Sequence, residues 1–303
     1  MMEQILNFIT RYHDFQDFYE KFKEKGNYLF PVAHRGCWKF APENSLSAIQ
    51  NCMNKGVFII ELDVHKTKDG KVILMHDDSV DRMTNGSGKI ADLTLEQIKA
   101  LFLKKNNGGD EAVLTNEKVP TLLEAMNLVK DKALVNIDKC WDIREEVYEI
   151  LEQTDTFDHA LIKSDSTIEN IEKFLNSKDK KLHYMHKVNE VNVHELEDII
   201  TKFQPIAIEI SFQYDTSTVV SEEVLIKIKE NANVWVNSLD LSLNGGHSDT
   251  LSLVDPDAGW GWLVDKGMNI IQTDYSFKLL DYLDEKLANH YNSERFYQKE
   301  NRK

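Results

Sequence analysis

Glu61 and Asp63 stand two residues apart in the apolar run VFIIELDV, and Asp138 closes a second such run, VNID. Residues two apart on a strand share a face. Two inward carboxylates repel unless a cation separates them or one is protonated. With Asp138 they form an all-oxygen donor set, which suits Mg2+ or Ca2+ rather than structural Zn2+. The competing account is strand-end charge open to solvent. That account would win for a lone Glu-x-Asp; Asp138 at the end of the next strand favours a metal. His34 ends PVAH and His76 ends VILMH. Imidazole exchanges protons near neutral pH. Either histidine alone reads equally well as buried and satisfied; as a pair beside carboxylates they read as acid and base. Arg35 can fork onto phosphate oxygens. Glu43, in APENS, is either an acidic residue near a helix start or a partner of Arg35, His34 or the metal. Lys139 and Lys163 are strand-end cations, available to a phosphate or simply solvated. Trp235 reads equally as a ring against substrate and as core.

Such residues need elements that gather them. Short apolar runs at 31–34, 57–64, 133–138, 159–164, 182–188, 206–211, 233–238 and 269–274 are each followed by a helical pattern. Continuous apolar runs are what strands buried on both faces look like, and alternating β and α predicts a parallel sheet. Eight such units in 303 residues predict a (β/α)8 TIM barrel. A doubly wound open sheet uses fewer strands, and no Gly-rich phosphate turn follows the first run. A barrel places its active site at the C-terminal ends of its strands. There the runs deliver His34, Arg35, Glu61, Asp63, Asp138, Lys139, Lys163, His186, Glu209, Trp235, Asn237 and Asp274.

Residues 65–120 separate the second and third runs by far more than one helix needs. They read as an insertion after strand two, with a hairpin arm GKVILMHDD, a turn-rich DRMTNGSGK and a helix over LTLEQIKALF. The predicted organisation is a helical lead-in at 1–30, a barrel domain at 31–286 and a polar tail at 287–303. LSLNGGHSDTLSL (241–253) reads as a flexible surface loop, or as a segment whose Asn244, His247 and Asp249 reach the substrate.

Thirty-six basic against 51 acidic residues give a net charge of −15. This argues against non-specific nucleic-acid binding and against docking on an anionic membrane. A phosphate substrate therefore needs a metal or a local cationic pocket. Cys37, Cys52 and Cys140 cannot supply a disulfide framework and form no CxxC. A reducing compartment is the simpler reading, with Cys140 a small apolar filler. No run approaches the ~20 apolar residues of a membrane span. The first residues lack the pattern of a signal peptide, so the expected location is cytoplasmic.

His34-Arg35-Gly36, Pro42-Glu43-Asn44-Ser45, Glu61-Leu62-Asp63 and His76-Asp77, followed by DRMTNGSGKIADLTLEQIKAL and VPTLLEAM, resemble the glycerophosphodiester phosphodiesterase family. VNIDK, NVWVNS and GMNIIQTDYSFKLLDYL resemble its later strands, so the likeness runs in order over about 31–285. It implies a TIM barrel with the small insertion. It also implies metal-assisted hydrolysis of a small-molecule glycerophosphodiester to sn-glycerol 3-phosphate and an alcohol, with one divalent cation, Ca2+ or Mg2+. By similarity His34 and His76 are the acid/base pair, Glu61, Asp63 and Asp138 hold the metal, and Arg35 and Lys139 sit by the phosphate. One departure is Asp138, where the family has Glu, one CH2 longer. Readings still open are a lyase releasing a cyclic phosphate, a non-catalytic phosphodiester-binding barrel and an unrelated TIM-barrel enzyme. The alcohol is open among ethanolamine, choline, glycerol and inositol.

Overall fold

The structure, a computed structural model, describes residues 12–26 and 28–286. The expected tail at 287–303 and residues 1–11 and 27 of the lead-in lie outside the described residues. The strands are β1 (Phe30–Ala33), β2 (Ile59–Lys66), β3 (Val72–Leu74), β4 (Leu134–Asp138), β5 (Ala160–Ser164), β6 (His183–Val188), β7 (Ala207–Ile210), β8 (Asn233–Asn237) and β9 (Ile270–Thr273). The helices are α1 (Phe15–Lys23), α2 (Leu46–Asn54), α3 (Leu95–Ala100), α4 (Leu122–Val129), α5 (Arg144–Thr154), α6 (Ile168–Asn176), α7 (Leu196–Phe203), α8 (Glu222–Asn231), α9 (Asp249–Val254) and α10 (Trp262–Asp265). A last helix starts at residue 276.

All strands but β3 are parallel and follow one another around a closed barrel, β1 bonding to both β9 and β2. β3 lies antiparallel on β2 as the expected hairpin arm. Each sequence run falls within two residues of a strand, because a strand walled by helices outside and packed side chains inside must be apolar throughout. The pairing of β2 with β4 sets Asp63 beside Asp138 and Glu61 beside Asn136. Paired residues of a parallel sheet share a face, so register alone gathers the three acids inside the barrel.

The barrel floor is apolar. Val32, Ile59, Leu134, Leu161, Met185, Ala207, Trp235 and Ile270 pack there, and α1 closes them with Phe15, Phe18 and Phe22. Asp14 caps α1 by accepting from the Asp17 amide. Trp235 thus belongs to the core rather than to a substrate surface: it is fully buried in the floor, and its indole N–H donates to Asn237 Oδ1 at 2.9 Å. Parity inside a run that is buried on both faces leaves no mark in the sequence.

The insertion has its own small core of Ile73, Met75, Val80, Met83, Ile90, Ile98, Leu103 and Val119. This fixes the segment 76–82 against the barrel mouth. Two expectations need correction. Cys37 and Cys52 form a disulfide. The turn after β1 lies on α2, Cys37 N donating to Ala48 O, and a 15-residue spacing carries no sequence signal of this. The bridge removes the cysteine argument for a reducing compartment. The segment 241–253 is also not a loose loop: it ends in α9, and Asn244, His247 and Asp249 are buried.

Candidate active site

The site is built at the strand ends. Gly36 in the turn after β1 has φ +73°, and a Cβ there would lie 2.9 Å from Ala48 Cβ. Only glycine lets this turn lie on α2. Arg35, Asn44 and Lys139 also have left-handed backbone, φ 54°, 54° and 59°. Such conformations persist where surrounding structure dictates them. Here each serves the carboxylates. Arg35 N donates to Glu61 Oε2 at 2.8 Å, and Lys139 N to Asp138 Oδ1 at 2.7 Å. Asn44 grips Asp63 twice, Nδ2 donating to Oδ2 and Oδ1 accepting from the Asp63 amide.

Glu61, Asp63 and Asp138 each offer an oxygen within 4.8 Å of the others. Glu61 and Asp63 are buried, and burial first, then the charges of Asp63 and Asp138, push the Glu61 carboxyl far up. Glu61 Oε1 is buried with no hydrogen-bond partner. A divalent cation fits this donor set: all ligands are hard oxygens, one stands unsatisfied, and their mutual repulsion calls for positive charge. Asp138 reaches the cluster despite its shorter side chain.

Cations surround the acids. Lys163 was expected at the rim; it lies inside the barrel, 3.0 Å from Asp138 Oδ2 and 3.1 Å from Glu209 Oε2. Burial disfavours its charge, but Glu209, Asp138 and Glu61 outweigh that and hold it protonated. Asp138 is likewise held low, against its burial, chiefly by Lys163. Asn237 Nδ2 donates to Glu209 Oε1, so a continuous polar path runs from Trp235 through Asn237, Glu209 and Lys163 to Asp138. Lys139 Nζ stands 3.6 Å from Asp63 Oδ1 and donates to the His76 carbonyl. Arg35 Nε is 3.5 Å from Asp63 Oδ2.

The two histidines are oriented alike. His34 Nδ1 lies 2.7 Å from Asp274 Oδ1, which also accepts from Trp38 Nε1 at 2.9 Å. Burial pushes Asp274 up, yet His34, Trp38 and Lys39 hold it below the usual carboxylate range. His76 Nδ1 lies 2.8 Å from Asp77 Oδ1, and the Arg82 fork holds Asp77 strongly down. An ionised carboxylate only accepts. Each histidine therefore keeps its proton on Nδ1 and leaves Nε2 for chemistry, His34 Nε2 standing 3.9 Å from Glu61 Oε2.

Glu43 is 2% exposed and receives Arg35 NH1 at 3.1 Å and Arg82 NH2 at 2.6 Å. Ser45 caps α2, so Glu43 is a bridge between the two histidine-bearing segments, not a helix-start residue. Arg82, Asn44 and Asp274 were not assigned roles from the sequence. Asn44 lies in the APENS string, and Arg82 stands five residues after Asp77, a spacing visible only once the insertion folds.

Three sequence candidates fall elsewhere. His186 points outward from β6, stacks on Phe203 and pairs with Tyr184 OH at 2.8 Å; burial pushes it down to about 4. His247 stacks on Trp262 at 3.8 Å and pairs with Asp215. Asp249 accepts from Ser238, Thr273 and Trp260 and from the amide of Asp274, anchoring the residue that orients His34. Burial pushes the Cys140 thiol up to about 12, as befits a filler.

Residues 34–184 match the glycerophosphoryl diester phosphodiesterase family. The chain belongs to that family. Residues 184–283 match a domain of unknown function. A glycerophosphodiester phosphodiesterase of Caldanaerobacter subterraneus is 46% identical over 108 residues, 35% of this chain and 43% of that protein. Bovine glycerophosphodiester phosphodiesterase 1 is 46% identical over 95 residues, 31% of this chain and 28% of that protein. The matched segments thus span less than half the length of these family members. Among solved structures, a glycerophosphoryl diester phosphodiesterase of Parabacteroides distasonis has TM-score 0.71 at 20% identity, covering 91% of this chain and 93% of that one. An Oleispira antarctica phosphodiesterase in complex with the product sn-glycerol-3-phosphate has TM-score 0.63 at 21% identity, covering 84% and 96%. These share the fold.

Proposed function

We propose that this chain hydrolyses a glycerophosphodiester to sn-glycerol 3-phosphate and an alcohol, using one divalent cation, Ca2+ or Mg2+. The observation that carries the reading is the cluster of buried Glu61 and Asp63 with half-buried Asp138, flanked by two histidines whose Nδ1 atoms are each fixed by an ionised aspartate. Family membership and the product held by the Oleispira relative support the substrate class.

The three carboxylates would hold the cation, which supplies positive charge to the phosphoryl oxygens when bound. Arg35 and Lys139, both beside Asp63, would add their charge to the phosphate. One histidine Nε2 takes a proton from the attacking water while the other, protonated, delivers one to the leaving alcohol oxygen. Asp274 and Asp77 keep both rings in the required tautomer and stabilise the imidazolium as it forms.

The test follows purified protein by 31P NMR with a mixture of glycerophosphodiesters, with Ca2+ or Mg2+ and then with chelator. A glycerol 3-phosphate signal that chelator abolishes supports the hydrolase. An accumulating cyclic phosphate replaces it with a lyase, and inert diesters with either metal overturn it.

A further inference from the structure

Lys39 touches the machinery above only through its charge on Asp274, and its ammonium lies 3.7 Å from the centre of the Trp38 ring and 4.2 Å from that of Tyr275. Two aromatic faces on one ammonium form the arrangement by which proteins recognise choline-like cations. Here the chain fills it from within. The cage adjoins the chemistry, since Trp38 Nε1 shares Asp274 Oδ1 with His34. The backbone that carries Trp38 and Lys39 is held in place. The Lys39 carbonyl accepts from Asn106 at 3.1 Å, Phe40 N donates to Cys37 O, and Cys37 is bridged to Cys52 on α2. The nearby acids do not draw a second cation, because Asp274 is engaged by His34 and Trp38, and Asp240 by Thr250.

We propose that Lys39, held between Trp38 and Tyr275, determines the alcohol specificity of this site. The preferred glycerophosphodiester then carries an uncharged polyol or an anionic alcohol, and choline or ethanolamine diesters are disfavoured. The proposal rests on the hydrolase reading. A tethered group acts at an effective concentration of millimolar or more, so a free cationic alcohol must displace an occupant that never leaves the neighbourhood. A polyol or anion instead meets a donor: the lysine presents three N–H groups and no acceptor.

The experiment compares kcat/KM for glycerophosphoinositol and glycerophosphocholine in the wild type and in Lys39→Met, which keeps the stem and removes the ammonium from the cage. The wild type is expected to favour the inositol diester by about 10-fold, and Lys39→Met to raise the choline diester by about 10-fold, mainly through KM. Choline as the best wild-type substrate, or a variant that shifts both diesters by one factor, overturns the proposal. A second readout needs no turnover: tetramethylammonium is titrated against tryptophan fluorescence. A signal is expected from Lys39→Met, and neither from the wild type nor from Lys39→Met with Trp38→Leu. Inert diesters with an intact tetramethylammonium response remove the hydrolase and spare the cage. Absence of that response in Lys39→Met removes the cage.

Discussion

Removing either imidazole deletes a proton carrier oriented toward the cluster. His34→Ala and His76→Ala are expected to lose about 10²–10⁴-fold in kcat while the far-ultraviolet circular dichroism stays as in the wild type. Near-native turnover in either would remove that histidine from the mechanism. Lys163 has a different part. It is 6% exposed and is shared by Asp138 and Glu209. Lys163→Met strands the buried Glu209 and the partly exposed Asp138, and the expected loss is about 3–5 kcal/mol, read from urea unfolding at pH 7. Adding Glu209→Gln should return part of it; a double variant as unstable as the sum of its parts would uncouple the pair. The acids and histidines were legible because strand parity and strand ends locate them. Lys163 was visible as a charge but not as an interior one, since a lysine at a strand end looks the same whether its head meets water or a carboxylate.

At the scale of elements, the barrel strands could be read because a parallel strand clothed on both faces must be apolar along its length. The partners of the histidines could not. Arg82 reaches Glu43 and Asp77 only because the insertion's own core brings residues 76–82 to the mouth. The Cys37–Cys52 bridge depends on the turn that Gly36 permits. α1 yields a prediction at this scale. Phe18 is 1% exposed and lies between α1 and the floor strands, with rings of Phe22, Phe30 and Phe58 within 6 Å. Phe18→Ala should cost about 3–5 kcal/mol by thermal or urea unfolding, with KM for any diester unchanged because the floor lies at the far end from the rim. A rise in KM without loss of stability would put α1 in contact with the site.

For the whole molecule, the −15 charge and the inward acids oppose compaction, and the site is where that opposition is concentrated. A cation that binds only the folded state adds RT ln(1 + [L]/Kd), about 2.7 kcal/mol at a hundred times Kd. The melting temperature is expected to rise with millimolar Ca2+ or Mg2+ and fall back with chelator. Asp63→Asn should blunt the rise. A melting temperature indifferent to both ions would argue that the acids are balanced by Lys139, Lys163 and Arg35 alone.

The plugging helix also imposes an order on birth. α1 precedes every strand, yet the floor it covers includes residues as late as Ile270 in β9. Its three phenylalanines therefore leave the ribosome with nothing to bury them. At about 5–20 residues per second the wait for β9 is on the order of 10–50 s. Throughout it, an apolar helix face is open to chaperones or to a neighbouring nascent chain. The floor that α1 covers is complete only when β9 has been made, and ring closure and plugging become a single late event.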